Sequence, residues 1–244
     1  MPSESESHGN TRNRLLDSLP LEEYARLTRK LQAVELQLAQ VLFQSGEQTE
    51  FVYFPVEAII SLMTDLEDGT GIEVGLVGRE GMVGISTVFG VEREAKLATV
   101  QRTGMALRMR SDDMREELTL GGQLQRLLLR YAHALMSQIS QSVVCNVRHK
   151  IDARLVRWLL MFQDCAGADE FELTHEFMAN MLGVSRSSIG EAARKLQEIK
   201  LVSYDRGRFR ILNRMAMEQM ACECYEVVRD EYERLYKTSL GERL

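Results

Sequence analysis

The hydrophobic rhythm of the chain changes several times along its length. Between Arg14 and Leu38, the apolar positions Leu15, Leu16, Leu19, Tyr24, Leu27 and Leu31 recur at helical spacing and predict short helical pieces. From Val41 the pattern shortens into compact apolar runs: Val41–Phe43, Val52–Phe54, Ile59–Thr64, Ile72–Val77, Leu97–Arg102 and Met105–Met109. Turn signals at Ser45-Gly46, Pro55, Asp68-Gly69 and Gly78–Gly84 separate them. Short, regularly spaced strands of this kind predict a β-sandwich or small barrel, such as a double-sheet jelly roll.

The middle of the chain is helical. From Gly122 to Val147 no Pro or Gly interrupts the sequence. Leu124, Leu128, Tyr131, Leu135 and then Gln138 or Ile139 alternate at four and three residues, and Leu127, Ala132 and Val143 widen the stripe. A 4-3 apolar stripe is the seam of a coiled-coil dimer. A helix lying on its own β-domain gives the same stripe, and one helix can do both. A second helix is predicted over Ile151–Asp164, carrying Leu155, Trp158, Leu159 and Phe162.

Residues 174–194 hold the most specific pattern. Thr174 can cap a first helix whose apolar face is Phe177, Met178, Met181 and Leu182. Gly183 suits the positive φ of a helix exit, and Val184 plugs the turn. Ser185 can cap a second helix that buries Ile189, Ala192, Ala193 and Leu196. Gly190 costs that helix roughly 1 kcal/mol against Ala, and its small size allows close approach to another surface. Two short helices about a tight turn read as a helix-turn-helix, a device for placing a helix in the DNA major groove. Leu201–Tyr204 and Arg208–Leu212, joined by Asp205-Arg206-Gly207, read as a β-hairpin. Together they predict a winged helix-turn-helix. Arg206, Arg208 and Arg210 on the wing suit phosphates.

Charge sharpens this picture. The chain carries a net −6, which at first disfavours DNA. Residues 185–214, however, hold eight Lys/Arg and three Asp/Glu, a local +5. Residues 1–121 hold twelve and twenty, a local −8. The local field, not the total, attracts phosphate. Past the wing, residues 215–237 read as one acidic amphipathic helix with Met217, Met220, Ala221, Cys224, Val227, Val228, Tyr232 and Leu235 on its apolar stripe.

The 244 residues suffice for real cores without disulfides. No apolar run approaches the length of a membrane span. Residues 1–13 are polar, lack the apolar core of a signal peptide and are expected to form a disordered tail. Cys145, Cys165, Cys222 and Cys224 fit no common zinc or disulfide spacing, so the expected setting is a reducing cytoplasm. Cys222 and Cys224, two apart on one helix, would point to different sides and are read as buried structural thiols, with no metal site assigned. The histidines at 8, 133, 149 and 175 are scattered, and no Ser/His/Asp set or P-loop is present. An enzyme is not expected.

The order β-domain, long helix, winged helix-turn-helix resembles the Crp/Fnr family of bacterial transcription regulators over roughly residues 14–214. Gly78-Arg79-Glu80-Gly81-Met82-Val83-Gly84 resembles the approach to the family's phosphate cassette. Ala153-Arg154-Leu155 through Leu160 resembles the first helix of its DNA-binding domain, and Met181 to Arg186 its turn and recognition helix. The resemblance implies an α+β protein. A tail (1–13) precedes a sensor β-roll (14–121), a dimerisation helix (122–149), a winged helix-turn-helix (150–214) and a helical extension (215–244). It implies a homodimer through residues 122–149, bound to double-stranded DNA, with RNA polymerase a further candidate partner.

It also exposes departures. Cyclic-nucleotide members follow the last cassette glycine with a ribose-binding Glu and, about ten residues on, a phosphate-binding Arg-Ser. Here the cassette positions are Gly81, Gly84, Ile85, Ser86, Arg93 and Lys96, with Glu94 inside the phosphate segment. Cyclic AMP held in the usual way is not expected, and the effector is unknown. Iron–sulfur members need an N-terminal cysteine cluster, and the first cysteine here is Cys145. Haem would need an axial ligand, and His8 is the sensor's sole histidine. No cofactor is expected.

The expected DNA-binding residues are Thr174, His175, Ser185, Arg186, Ser187, Ser188, Glu191, Arg194, Arg206 and Arg208. Arg186 and Ser187 would read bases, Arg being suited to guanine. Glu191 stands where family members often carry a base-reading Arg, and could accept from cytosine N4. Thr174, His175, Arg194, Arg206 and Arg208 would meet phosphates. The alternative function is a ligand-sensing regulator of other proteins that never touches DNA.

Overall fold

The computed structural model describes residues 11–65 and 71–237. Two short helices open it, α1 (Arg14–Asp17) and α2 (Leu21–Thr28). Seven strands follow: β1 (Gln32–Leu36), β2 (Val41–Phe43), β3 (Phe51–Pro55), β4 (Ile59–Asp65), β5 (Gly71–Val77), β6 (Leu97–Arg102) and β7 (Gly104–Arg110). They form a three-stranded antiparallel sheet, β1-β7-β3, and a four-stranded one, β2-β6-β4-β5. Their inner faces bury Leu36, Val52, Phe54, Ile60, Leu76 and Val100. A 3-10 helix (Ile85–Phe89) lies between β5 and β6.

Helices α3 (Ser111–Thr119), α4 (Gln123–Arg148) and α5 (Ile151–Ala166) come next. The last part is β8 (Glu170–Glu172), α6 (His175–Leu182), α7 (Arg186–Glu198), β9 (Val202–Asp205), β10 (Arg208–Ile211), α8 (Arg214–Met220) and α9 (Glu223–Lys237). All six expected strand runs are present. No helix among the described residues is long and apolar enough to cross a membrane.

Several expectations change. Residues 32–36 form β1, not a helix, because they pair with β7 from Gln32↔Arg108 to Leu36↔Gly104. The wing has a third strand, β8, pairing Phe171 with Phe209. The expected tail is ordered at its end. Asn13 is fully buried, caps α1 and donates at 2.9 Å to the carbonyls of both Pro55 and Gly81. Residues 1–10, with His8, and the Asp68-Gly69 turn lie outside the described residues.

The long helix is held by its own chain at its start and along its apolar stripe. Its first amides, at Gln123 and Leu124, donate at 3.0 and 2.7 Å to the Glu23 carboxylate of α2, which caps it from outside. The expected dimer seam is already occupied. Leu124, Leu128, Tyr131, Leu135 and Gln138 are all buried within one chain. The Gln138 amide accepts from Leu76 N at 2.9 Å and donates to Leu76 O at 3.2 Å, pairing with the backbone of β5. A polar residue interrupts the stripe because it docks on a strand. The apolar positions left exposed are Leu129, Met136, Val143, Val144 and Val147, with Val147 at 78%.

The expected single helix over 215–237 is two helices. Ala221 adopts an extended backbone, φ −63° and ψ 150°, which ends α8. Helix α9 then runs back along α4 and buries Tyr225, Val228, Tyr232, Leu235 and Tyr236. Met220 and Val227, assigned to the apolar stripe, are exposed.

Candidate nucleic-acid interface and sensor cassette

The core of the C-terminal unit contains an aromatic cluster. Trp158 lies 5.2 Å from Phe162 and 6.0 Å from Phe177 between ring centroids, and Phe162 meets Phe171 edge-on. On this platform the helix-turn-helix has the expected caps. Thr174 Oγ1 accepts from Phe177 N at 3.1 Å, and Ser185 Oγ accepts from Ser188 N at 3.2 Å. Gly183 takes φ +61°, the left-handed exit. The buried face of α7 is Ile189, Ala192, Ala193 and Leu196, as the spacing predicts.

Ser185, Arg186, Ser187, Glu191 and Arg194 lie exposed, and Ser188 is half-buried beneath them. The Ser187 and Ser188 hydroxyls sit 2.9 and 2.8 Å from Ser185 Oγ, so they belong to the cap network. Among the described residues, Arg186, Arg206 and Arg208 pair with no carboxylate. Arg194 pairs with Glu198, Glu191 with Lys195 at 3.3 Å, and Arg210 with Glu170 across the wing. Exposed pairs of this kind contribute little to stability. The wing tip is a two-residue turn with positive φ at both Arg206 (+47°) and Gly207 (+86°), which splays Arg206 outward.

His175 is held by its neighbours. It is half-buried, stacked on Tyr204 of the wing at 4.5 Å, and its Nε2 is buried without a partner. Burial first, and then Arg186, hold its imidazole below the usual pKa. The stacked ring ties α6 to the wing. Gly190 packs over it: a Cβ there would lie 3.5 Å from His175 Nδ1.

The cassette keeps the glycine scaffold, and a carboxylate of the same chain sits at its helix start. Gly81 is pressed against the long helix, where an added Cβ would fall 2.5 Å from Tyr131 Oη. Gly84 takes φ +99° and leads into the 3-10 helix at Ile85 and Ser86. The start of that helix is where an anion would sit. Glu94 fills it. Its carboxylate accepts from Ser86 Oγ at 2.8 Å, Ser86 N at 3.3 Å and Thr49 Oγ1 at 3.4 Å, and the residue is 6% exposed. Arg93 points outward and donates to Gly46 O at 2.7 Å. Lys96 and Ile85 line a cavity of about 160 Å³ closed by Ala132, Leu135 and Met136 of α4.

The two units are joined through the outer face of the four-stranded sheet. Trp158 Nε1 donates to Glu73 Oε1 at 2.8 Å, and Ser61 hydrogen-bonds the other carboxylate oxygen. Burial raises the Glu73 carboxyl to about 7 against the opposing pull of Ser61, Trp158 and Arg157. The helix-turn-helix turn touches the same sheet, with Ile72 positioned 3.7 Å from a Cβ built at Gly183. Local pattern places these residues in their own elements but does not mark them as partners across the joint.

A β-roll sensor fused through a long helix to a winged helix-turn-helix defines a sensor-type DNA-binding regulator. Residues 33–119 match the cyclic nucleotide-binding domain model, and residues 153–220 match the Crp-like helix-turn-helix domain model. Together these matches span well over half of the chain, and it belongs to the Crp/Fnr family of transcription regulators. A global nitrogen regulator of Synechococcus elongatus is 21% identical over 198 residues, 78% of this chain and 89% of that protein. The structure of FixK2 from Bradyrhizobium japonicum aligns with a TM-score of 0.69 at 13% identity, covering 79% of this chain and 98% of that one. The c-di-GMP responsive global regulator CLP of Xanthomonas campestris aligns at 0.62 and 14% identity, covering 80% and 100%. At such identities the structural likeness is one of fold.

Proposed function

We propose that two copies of the chain pair through α4 and set their α7 helices in successive major grooves of specific DNA, under an effector other than cyclic AMP held in the usual way. The observation that carries this is the start of α7. Arg186 and Ser187 stand exposed on a side-chain-capped helix, with the unpaired Arg206 and Arg208 on the adjacent wing. Base edges and phosphates are the chemistry such a surface fits.

Pairing is supported by the face of α4 that its own chain leaves bare. Leu129, Met136 and Val143 repeat at seven residues, and Val147 continues the line. A second copy of α4 fits this stripe, and two recognition helices then match two half-sites one DNA turn apart. The effector reading is supported by Glu94. A carboxylate already bonded to the cassette leaves no seat for a phosphate, and like charge repels one.

Gel shifts on genomic fragments at two salt concentrations test this, with light scattering for the assembly. The expected result is a dimer whose affinity for selected fragments falls steeply with salt, by a slope of about −0.9 per phosphate contacted. Salt-independent retention, or no shift on any fragment, would favour a regulator of proteins instead.

A further inference from the structure

Four side chains that no step above uses converge where the long helix ends. Cys145 and His149 stand one turn apart at the end of α4. Cys222 and Cys224 flank Glu223, the first residue of α9. Because Ala221 breaks the chain out of α8, Cys222 does not share a regular helix with Cys224. Both thiols therefore turn into one space. The three sulfurs and a ring nitrogen of His149 all lie within 4.8 Å of one another.

The spacing is that of a tetrahedral ion site. Cys145 Sγ is 3.6 Å from Cys222 Sγ, and Cys224 Sγ is 3.5 Å from His149 Nδ1. Bonds of about 2.3 Å to sulfur and about 2.0–2.1 Å to nitrogen require about 3.8 Å between two thiolates and about 3.6 Å between thiolate and imidazole. An iron–sulfur cluster with two irons would hold ligands of different irons farther apart than this group allows.

The surroundings point the same way. His149 Nε2, the nitrogen facing away, is 3.3 Å from Glu223 Oε2, the carboxylate–histidine pairing that orients metal ligands. Gln141 Nε2 donates to Cys224 Sγ at 3.1 Å. Three thiolates and a neutral imidazole on a divalent ion leave one negative charge. The buried Arg157 offsets it, lying in the field of Cys145, and its Nε has no hydrogen-bond partner.

We propose that Cys145, His149, Cys222 and Cys224 bind a single zinc-type divalent ion in a Cys₃His tetrahedron. The ion ties the C-terminal helix to the joint between α4 and α5. Helix α5 begins at Ile151, two residues past His149. Occupancy therefore anchors α9 beside the joint from which the DNA-binding unit leaves the long helix.

The test uses the full chain, reduced and stripped of metal, titrated with Co²⁺ and then Zn²⁺. One Co²⁺ per chain is expected to give the strong visible bands of a tetrahedral ion and a thiolate charge-transfer band, both abolished by one equivalent of Zn²⁺. Cys145→Ser and Cys224→Ser should each lose that spectrum, while Cys165→Ser, a buried thiol outside the cluster, should keep it. Glu223→Gln changes an exposed side chain and keeps the test open if the cysteine variants fail to fold. It should weaken Zn²⁺ about tenfold or more. Absence of tetrahedral cobalt, a Cys145–Cys222 disulfide that persists under reductant, equal loss in Cys165→Ser, or unchanged Zn²⁺ affinity in Glu223→Gln would each overturn the proposal.

Discussion

Two helix starts in this molecule have the same preface and opposite fates. Gly183 leads into α7, and Gly84 leads into the 3-10 helix at Ile85, each with positive φ. Both present unpaired amides and the positive end of a helix, which favours anions. At α7 the capping group is the helix's own Ser185 hydroxyl, and the surface beside it stays open with Arg186 exposed. At the cassette the capping group is the Glu94 carboxylate, brought in from eight residues later and buried. Anion-binding potential at a helix start is thus kept for an outside partner or satisfied within the chain. The deciding residue need not belong to the motif.

The largest effect is expected at the joint between the two regions. Glu73 has a folded-state pKa raised to about 7 from an ordinary 4.5. Between those values the folded chain holds a proton that the unfolded chain has released. Its contribution to stability is therefore full below about 4.5 and is lost as pH rises through 7. On the order of 3 kcal/mol is at stake, at 1.36 kcal/mol per pKa unit. Glu73→Gln keeps a neutral acceptor for Trp158 and should flatten the dependence. Urea midpoints at pH 5.5 and pH 8 measure it. Parallel curves for the two proteins would mean that Glu73 does not titrate in this range.

At the open helix start, Arg186→Ala should cost about 1–3 kcal/mol at one base pair and relax specificity there. Arg208→Ala on the wing should weaken all sequences alike and lower the salt slope by about one. Binding measured on a panel of single-base variants separates the two. Equal weakening across the panel by Arg186→Ala would remove the base-reading role.

At the filled start, Glu94→Ala should destabilise the sensor by about 1–3 kcal/mol, because Ser86 and Thr49 lose a buried acceptor. Thermal melts check this. The unmodified chain should show no melting shift with millimolar cyclic AMP. A shift of several degrees would mean the nucleotide displaces Glu94, and the contrast between the two starts would collapse.

The open start was readable in the sequence because its logic is local. Caps at Thr174 and Ser185, the exit at Gly183 and the hairpin turn at Arg206-Gly207 all act within a few residues. What was not readable depends on distant partners. Strands β1 and β8 are weak alone and exist through pairing with β7 and β10. Periodicity marked the buried face of α4 and left open whether a partner helix or the chain's own β-domain covers it; it could not choose β5, nor foresee α9. Nor could spacing reveal that a break at Ala221 brings Cys222 and Cys224 to Cys145, or that Glu94 would occupy the cassette.

The smallest expected effect returns to α7 itself. Gly190 sits inside the recognition helix, where Gly costs about 0.5–1 kcal/mol against Ala. Its φ is not in the left-handed region, so no backbone strain opposes a side chain. The nearest atom to an added Cβ is His175 Nδ1 at 3.5 Å, an ordinary van der Waals contact. Gly190→Ala should therefore stabilise the domain by up to about 1 kcal/mol, read as a small rise in the urea midpoint at unchanged slope. DNA affinity should stay the same, since the residue faces His175 and the open side of the helix is untouched. A loss of affinity at raised stability would instead place Gly190 against the DNA backbone. The close approach that its small size permits would then be to the ligand and not to α6.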